Sequence, residues 1–450
     1  TDLQNLDAGR PGRRAGDDRG AARRVGGAGV GPLRRAVRHP RREEILERGD
    51  PVRFIEETVH EIHVGDNILI KSLISNIGCQ MCINTSGLHP GLNGESGKGK
   101  SYACRAMFHL LPERYKRAGS YSNKSFFHMG MESGTVIFLD DIEKLPDELE
   151  RMIKVTTSQY QEPYTHYYTD LTKKEDNKLS EVSMPSRICW WLTSVEANFD
   201  TQILNRCLTL SVDESEEQDL AVMRKQLDQA KDGTYGFETT PSVLICRRMI
   251  EILKDDAVFN PIRVKIPFTD FINWHNPENR RNLPMFLDTI RGFTAFYQYQ
   301  RPRDKDGAAL ATINDFYSSK IVWNHIERGQ VSKLNKREMA ILQIIIDAED
   351  TGITRSDLIQ KSKVTSSTLT KSINGIKQPD GTYDGGLLNK VKGLIKEDML
   401  EEDQLLRKKR ATRYYFKGDK SLWENFTSIV TLTDVEGAQK AIDEASYKPQ

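Results

Sequence analysis

Gly94-Glu95-Ser96-Gly97-Lys98-Gly99-Lys100-Ser101 fits the pattern G-x-x-x-x-G-K-[ST], a loop that cradles phosphates at the start of a helix. Its glycines let backbone N–H groups turn inward around β- and γ-phosphates, and the helix expected from Tyr102 to Leu111 adds its positive dipole end. Lys100 is expected to reach the β/γ-phosphates, and the Ser101 hydroxyl to complete a Mg²⁺ shell. The register is unambiguous, because Lys98 is followed by Gly99 and not by a hydroxyl residue. Gly94, Glu95, Ser96, Gly97, Lys98 and Gly99 are the expected remainder of the cofactor cradle. The competing reading is a glycine-rich surface turn.

Forty residues on, Thr135-Val136-Ile137-Phe138-Leu139-Asp140-Asp141 is an apolar run that ends in two carboxylates. A buried parallel strand delivers acids to the carboxyl edge of a sheet in this way. Asp140 is expected to hold Mg²⁺ through water, and Asp141 to orient or deprotonate the attacking water. A solvated acidic turn is the alternative, since Glu143 and Lys144 continue the polarity. Together the two segments predict an ATPase with ATP and Mg²⁺ as cofactors.

Bulk properties bound the rest. The chain has 450 residues, more than one apolar core usually organises, so two or three domains are expected. A net charge of +1 means that any affinity for nucleic acid comes from local patches. Six cysteines without regular spacing suggest a reducing compartment, and Cys79 and Cys82 form one C-x-x-C with no second pair to close a zinc site. No apolar stretch approaches about 18 residues and no signal peptide is seen, so a soluble, cytoplasmic, nucleoid-associated protein is expected. Residues 1–49, rich in Arg and Gly and broken by Pro11, Pro32 and Pro40, are expected to be disordered or extraneous.

Asp50 and Pro51 form an N-cap and first helical position for a helix through Ile62, and a second helix is expected from Asp66 to Asn76. An α/β core follows to Asp213, with a third strand at Ile188–Leu192 that ends at Thr193 and Ser194. The stretch from Thr85 to Asn93, with Pro90, leaves the strand before the phosphate loop hard to place. Helices over Glu216–Lys231, Pro241–Lys254 and Asn279–Gln300 suggest a helical lid over residues 214–302, followed by a linker over 303–334. From residue 335 to 418 the pattern is helix over Lys336–Ala348, helix over Thr354–Lys361, helix over Ser366–Ile376 and a helix near Leu387–Ile395. Two strand-like runs, Met399–Glu402 and Thr412–Phe416, then flank a loop that carries Arg407, Lys408, Lys409 and Arg410. That outline predicts a winged helix, with Lys408 and Arg410 as DNA contacts or, alternatively, a protein-docking role. Residues 419–450 are expected to be a tail.

This order of elements resembles the AAA+ ATPases, and more closely the clade of the minichromosome maintenance (MCM) proteins and the MCM-like helicases of mobile elements. His63-Val64-Gly65-Asp66-Asn67-Ile68-Leu69-Ile70-Lys71 looks like the MCM segment before the phosphate loop, and Leu139-Asp140-Asp141-Ile142-Glu143-Lys144-Leu145 is similar to the acidic strand and its turn. The resemblance implies a P-loop AAA+ core, a parallel sheet flanked by helices, with a helical lid and a C-terminal winged-helix domain. It also implies three further catalytic positions. Thr193 (or Ser194) takes the sensor-1 place, where the family usually has Asn. Arg206 occupies the place of the arginine finger that reaches a neighbouring subunit's ATP, and Arg281 that of the lid arginine, sensor 2. Asp141 stands where MCM proteins have Glu.

One segment separates a helicase from a generic ATPase of this type. Tyr164–Thr169 and Leu179–Met184 read as two arms around a tip bearing Lys173, Lys174 and Lys178, like the presensor-1 hairpin that grips single-stranded DNA in this clade. A solvated charged loop is the alternative, since acids are interleaved. The sequence thus predicts a ring-forming, hexameric, ATP-driven DNA helicase or translocase that replicates a plasmid, virus or integrated element, with a primase or initiator as a candidate partner. Its rivals are a replication initiator or helicase loader that uses ATP as a switch, and an ATP-dependent transcription regulator.

Overall fold

The structure is a computed structural model that describes residues 41–93, 97–119, 130–142, 145–169, 179–194, 203, 206–213, 215–234, 236–274, 281–330, 334, 336–377, 383–384, 386–391, 393–402, 408–418 and 430–447. Three helices lead in: α1 (Arg41–Arg48), α2 (Pro51–Ile62) and α3 (Asn67–Cys79). Within the segment 1–49, expected to be disordered or extraneous, residues 41–48 are thus helical. Leu46 of α1 is buried, and Gln300 Nε2 donates to the carbonyls of Leu46 and Gly49 at 2.9 Å each, which fixes α1 to the body. Asp50 caps α2 as expected, its carboxylate accepting the Arg53 N–H at 2.9 Å.

The sheet that follows takes β1 (Pro90–Asn93), β2 (Lys116–Ala118), β3 (Val136–Leu139), β6 (Cys189–Ser194) and β7 (Leu208–Leu210) in the order β2-β3-β6-β1-β7. Every pairing in it is parallel. Helix α4 (Lys100–His109) leaves the end of β1, and α5 (Asp147–Ser158) leaves the end of β3. Alternate strand residues face opposite sides. Val136, Phe138 and Trp191 join the apolar cluster of α2, α3 and α4, whereas Ile137, Leu139, Trp190 and Leu192 pack with Leu149, Met152 and Ile153 of α5. Both indoles are satisfied, Trp191 Nε1 by Asn76 Oδ1 at 2.7 Å and Trp190 Nε1 by Thr156 Oγ1 at 2.9 Å.

The hard-to-place first strand is β1, and its sequence, Pro-Gly-Leu-Asn, explains the difficulty. Pro90 sits at the strand's first residue, where its missing N–H breaks no ladder. Gly91 is small because an added Cβ would come within 3.2 Å of the Cys207 Cβ on the approach to β7. Neighbours on both sides bury this strand, so it needs little apolar character of its own.

Between α5 and β6, β4 (Tyr164–Thr169) and β5 (Leu179–Met184) pair antiparallel from Tyr164↔Met184 to Thr169↔Leu179. The connection, with Lys173, Lys174 and Lys178, lies outside the described residues. Beyond β7 come α6 (Glu216–Asp232), α7 (Pro241–Phe259), β8 (Val264–Lys265), β9 (Ile272–Trp274) and α8 (Asn282–Phe296). The expected lid helices α7 and α8 contribute Val243, Met249, Phe286 and Phe293 to the same apolar cluster as α3 and the sheet. Helix α8 crosses α3 with glycine against backbone: a Cβ at Gly78 would sit 2.0 Å from the Gly292 carbonyl oxygen, and one at Gly292 would sit 2.1 Å from that of Ser75.

The expected linker is not one. It holds β10 (Ala309–Leu310) and α9 (Ile313–Gln330), with Phe316, Val322 and Trp323 buried against α8 and Trp323 Nε1 on Thr289 Oγ1 at 2.9 Å. Residues 336–416 then form a third apolar cluster around Ile341, Ile345, Leu358, Leu369, Ile373, Tyr414 and Phe416. It is built from α10 (Lys336–Asp347), β11 (Ile353–Thr354), α11 (Arg355–Ser362), α12 (Ser366–Asn374), β12 (Ile376–Lys377), β13 (Tyr383–Asp384), α13 (Leu387–Lys390), β14 (Leu394–Glu402) and β15 (Lys408–Phe416). The helix expected over Leu387–Ile395 stops at Lys390, since Leu394 and Ile395 already pair with Phe416 and Tyr415. Lys408 and Arg410 belong to β15 and not to a loop, in register with Glu402 and Leu400. The expected tail is also ordered where described: β16 (Val430–Leu432) pairs antiparallel with β9, and α14 (Val435–Ala445) follows.

The amino edge of the sheet is closed by buried polar groups. Lys254 of α7 donates to Gln80 Oε1 and to the Gly134 carbonyl, each at 2.7 Å, with the Tyr115 ring centroid 5.3 Å away. Gln80 in turn donates to the carbonyls of Thr135 and Arg187, at 3.2 and 3.0 Å. Burial pushes the Lys254 ammonium down to about 7. The unfolded chain keeps that proton up to about pH 10.4, so unfolding takes up a proton between those values and this group's contribution to stability rises with pH across the window. Urea unfolding between pH 7 and 8.5, below the ordinary thiol range, is expected to show the wild type gaining about 1 kcal/mol per pH unit relative to Lys254→Met.

Candidate active site

The sheet order sets the chemistry. Strand β6 lies between β1, which leads into the phosphate loop, and β3, which ends at the acids. Leu192 is level with Leu139 on one side and Gly91 on the other, and Thr193 pairs with Leu92. The next residues along, Asp140, Thr193 and the loop after Asn93, therefore meet at the carboxyl edge. Of the loop itself, Gly94, Glu95 and Ser96 lie outside the described residues. Gly97 and Gly99 have φ of +84° and +86°, a region that side chains with a Cβ avoid, and an added Cβ at either meets nothing within 4 Å. These glycines are thus required by backbone conformation rather than by crowding. Lys100 and Ser101 begin α4, with Lys100 buried.

Asp140 is the centre of the arrangement. Its Oδ1 accepts from Ser101 Oγ at 2.5 Å and from Thr193 Oγ1 at 2.7 Å, and its Oδ2 accepts from Arg105 Nη2 at 2.7 Å. Burial would raise this carboxyl, but the Ser101, Thr193 and Arg105 hydrogen bonds together outweigh it and hold Asp140 below the ordinary range. It is therefore an ionised ligand at neutral pH. The donor set fits a hard divalent cation, because the Ser101 hydroxyl can give its proton to Asp140 and still present a lone pair to a metal.

Thr193 does more than its expected place implied. Its hydroxyl accepts the Asp141 N–H at 2.8 Å while donating to Asp140, and its carbonyl accepts the Ile142 N–H at 2.9 Å. Asp141 stands at φ +51°, left-handed backbone that costs an Asp about 1 kcal/mol or more, and the Thr193 contact helps to hold it there. Thr193 thereby orients both acids. Ser194, the alternative at that place, donates to the Ile142 carbonyl at 3.0 Å.

The remaining expected residues are spread around this centre. Lys98 lies in the loop with its ammonium on Asp219 Oδ2 of α6 at 2.6 Å. Arg206 is half-buried in the turn before β7, its N–H bonded to the Ile203 carbonyl at 2.8 Å. Arg281 immediately precedes α8 and is exposed. Cys79 and Cys82 are buried thiols that donate to the carbonyls of Asp288 (3.0 Å) and Gly78 (3.6 Å), and burial raises both.

Two contributors were not foreseen. Arg105 lies one helical turn beyond Ser101, a spacing that puts both on one face of α4. His63 Nε2 meets Asp66 Oδ2 at 2.7 Å, both buried, while Asp66 Oδ1 accepts the Asp213 N–H at 2.6 Å, so one carboxylate joins the segment before α3 to the segment after β7. The His-x-x-Asp spacing was visible in sequence, but its distant partner was not.

Removing the Thr193 hydroxyl is expected to disturb both acids at once. Thr193→Val should lower nucleotide hydrolysis about 10- to 100-fold while nucleotide affinity stays near wild type, and Thr193→Ser should restore most of the rate. Steady-state hydrolysis together with equilibrium nucleotide binding separates the two effects.

Comparison with known proteins agrees with the site at a coarser level. A family model described as "MTBMA_p00010 P-loop domain" matches residues 36–256, which include the phosphate loop, both acids, Thr193 and Arg206. The chain is also similar to the uncharacterized protein MTBMA_p00010 of Methanothermobacter marburgensis (strain Marburg), at 21% identity over 374 residues, which covers 77% of this chain and 45% of that protein. The chain thus spans less than half the length of this relative. Match, parallel sheet and loop geometry agree on one statement: this part of the chain is a P-loop domain of the nucleotide-binding NTPase type.

Proposed function

We propose that the protein is an AAA+ ATPase that works as a ring-forming, hexameric DNA helicase or translocase in the replication of a mobile element, virus or plasmid. The observation that carries the ATPase part is the Asp140 carboxylate, held by Ser101 of the phosphate-loop helix and by Thr193 of the intervening strand. ATP is the nucleotide, bound with Mg²⁺, which screens the phosphate charge when present. Lys100 neutralises the β/γ-phosphates, Ser101 and Asp140 hold the metal, and Asp141 takes the proton of the attacking water. Arg206 reaches the nucleotide of the neighbouring subunit, and Arg281 serves as the lid arginine.

The DNA part is supported by two features. The first is the antiparallel pair of β4 and β5, whose connection carries Lys173, Lys174 and Lys178. In the proposed ring these lysines grip single-stranded DNA through its phosphates, without sequence preference. The second is the 336–416 unit, in which α10, α11 and α12 stand with the strands β11, β15 and β14 in the outline of a winged helix that contacts duplex or a partner such as a primase or initiator. Lys408 and Arg410 lie on its hairpin. In the strand register Lys408 is level with Glu402 and Arg410 with Leu400.

Among the described residues no helix is long and apolar enough to cross a membrane. Lys100→Ala is expected to abolish ATP hydrolysis and its stimulation by single-stranded DNA. Arg206→Ala is expected to leave nucleotide binding intact while hydrolysis by the assembled protein falls about 10³-fold or more. Hydrolysis undiminished by Arg206→Ala, in a protein that stays monomeric with ATP and DNA, overturns the ring; failure to displace a strand from a forked duplex overturns the helicase.

A further inference from the structure

The two oxygens of Asp140 are used differently. Oδ1 already accepts two hydroxyl protons, from Ser101 and Thr193, both supplied by elements packed into the sheet. Oδ2, the edge left for a metal or for water on a metal, accepts from the Arg105 guanidinium at 2.7 Å. The Arg105 side chain is 59% exposed, against 20% for Asp140. An exposed ion pair of this kind holds by about 1 kcal/mol or less, so the guanidinium can swing into water at little cost. A divalent cation brought to the same carboxylate repels the guanidinium, since both are positive and share one small acid.

We propose that Arg105 is a stand-in cation for the metal: it occupies the Oδ2 edge of Asp140 while the site is unloaded, and a divalent cation must displace it to bind. This rests on the reading of Ser101 and Asp140 as the metal-holding pair. While Arg105 is seated, the acid that anchors β3 to α4 and β6 stays paired. The metal alone therefore binds poorly, and a triphosphate that brings further negative charge to Lys100 and Ser101 tips the exchange.

The test uses the full chain without nucleotide, with Mn²⁺ alone as the probe, followed by the loss of its free-ion paramagnetic resonance signal at constant ionic strength. Arg105→Gln is expected to bind Mn²⁺ about five-fold tighter than the wild type, and Arg105→Lys to bind like the wild type. Asp140→Asn in either background should remove the site. Unfolding curves check that each variant is folded. Equal or weaker Mn²⁺ binding by Arg105→Gln, or no binding by wild type and Arg105→Gln alike, overturns the proposal. A separate titration with a fluorescent ATP analogue, against Lys100→Ala as control, tests the nucleotide site. Analogue binding that Lys100→Ala removes, with unchanged Mn²⁺ affinity in Arg105→Gln, sinks this inference alone; no analogue binding sinks the parent reading.

Discussion

The hydrogen bonds that converge on Asp140 are the constraint from which the rest of the site follows. One carboxylate joins the helix that leaves the phosphate loop, through Ser101, to the strand beside it, through Thr193. That contact exists only because β6 is inserted between β1 and β3, and the register puts Thr193 one step past the Leu139–Leu192 pair. Shift β6 by one residue and Thr193 turns to the opposite face, toward the helix α5 side, leaving both acids without their brace. The bulky pair Trp190 and Trp191, each hydrogen-bonded to a helix on its own side, fixes that register. The core and the catalytic edge are thus specified by the same strand.

How much of this was legible follows from where each signal lies. The phosphate loop, the acid strand and the cap at Asp50 are local patterns, and local chemistry makes them: glycines at positive φ, an apolar run ended by acids, a carboxylate facing an orphan N–H. The helices of residues 336–374 were legible because their apolar residues recur at helical spacing and Thr354 and Thr365 cap them. What escaped depends on contacts distant in sequence. Strand β1 lacks an apolar pattern since its neighbours bury it. Helix α9 follows a polar, proline-bearing stretch and shows its purpose only when Trp323 reaches Thr289. Strand β16 finds its partner in β9, far earlier in the chain, with Val430 opposite Trp274 and Leu432 opposite Ile272, and nothing in either three-residue segment announces the other. The basic run before Thr412 looked like a loop because charge alone does not distinguish a turn from a strand whose opposite neighbour is acidic.

The two edges of the sheet are built on opposite principles. At the amino edge, Gln80, Lys254 and Arg187 are buried and their bonds run to backbone carbonyls of Gly134, Thr135, Arg187 and Ala257. Arg187 itself stands at φ +58°, so strain and buried charge are both accepted there in order to join the starts of β3 and β6 to α7. Removing one partner from such a set leaves a buried donor or acceptor unmet, which costs about 1–3 kcal/mol. That edge is fixed.

At the carboxyl edge the contacts are exchangeable. Lys98 of the phosphate loop is on Asp219, whose side chain is about half exposed, and Arg105, more exposed still, is on Asp140. Helix α6, which carries Asp219, has no buried residue over its 17 positions and is tied to the body by polar contacts, Gln218 to the Val64 carbonyl at 2.5 Å and Lys225 to the Glu61 carbonyl at 2.7 Å. Ion pairs of this exposure are worth about 0–1 kcal/mol each, so a polyanion in the loop that competes for Lys98 outweighs them easily. The Lys98 and Arg105 pairs are thus the more exposed contacts of the sheet, and the Lys254, Gln80 and Arg187 contacts at the amino edge the buried ones. A site with a rigid frame and weakly held cations around it can respond to phosphate and metal without unmaking the geometry that performs the chemistry.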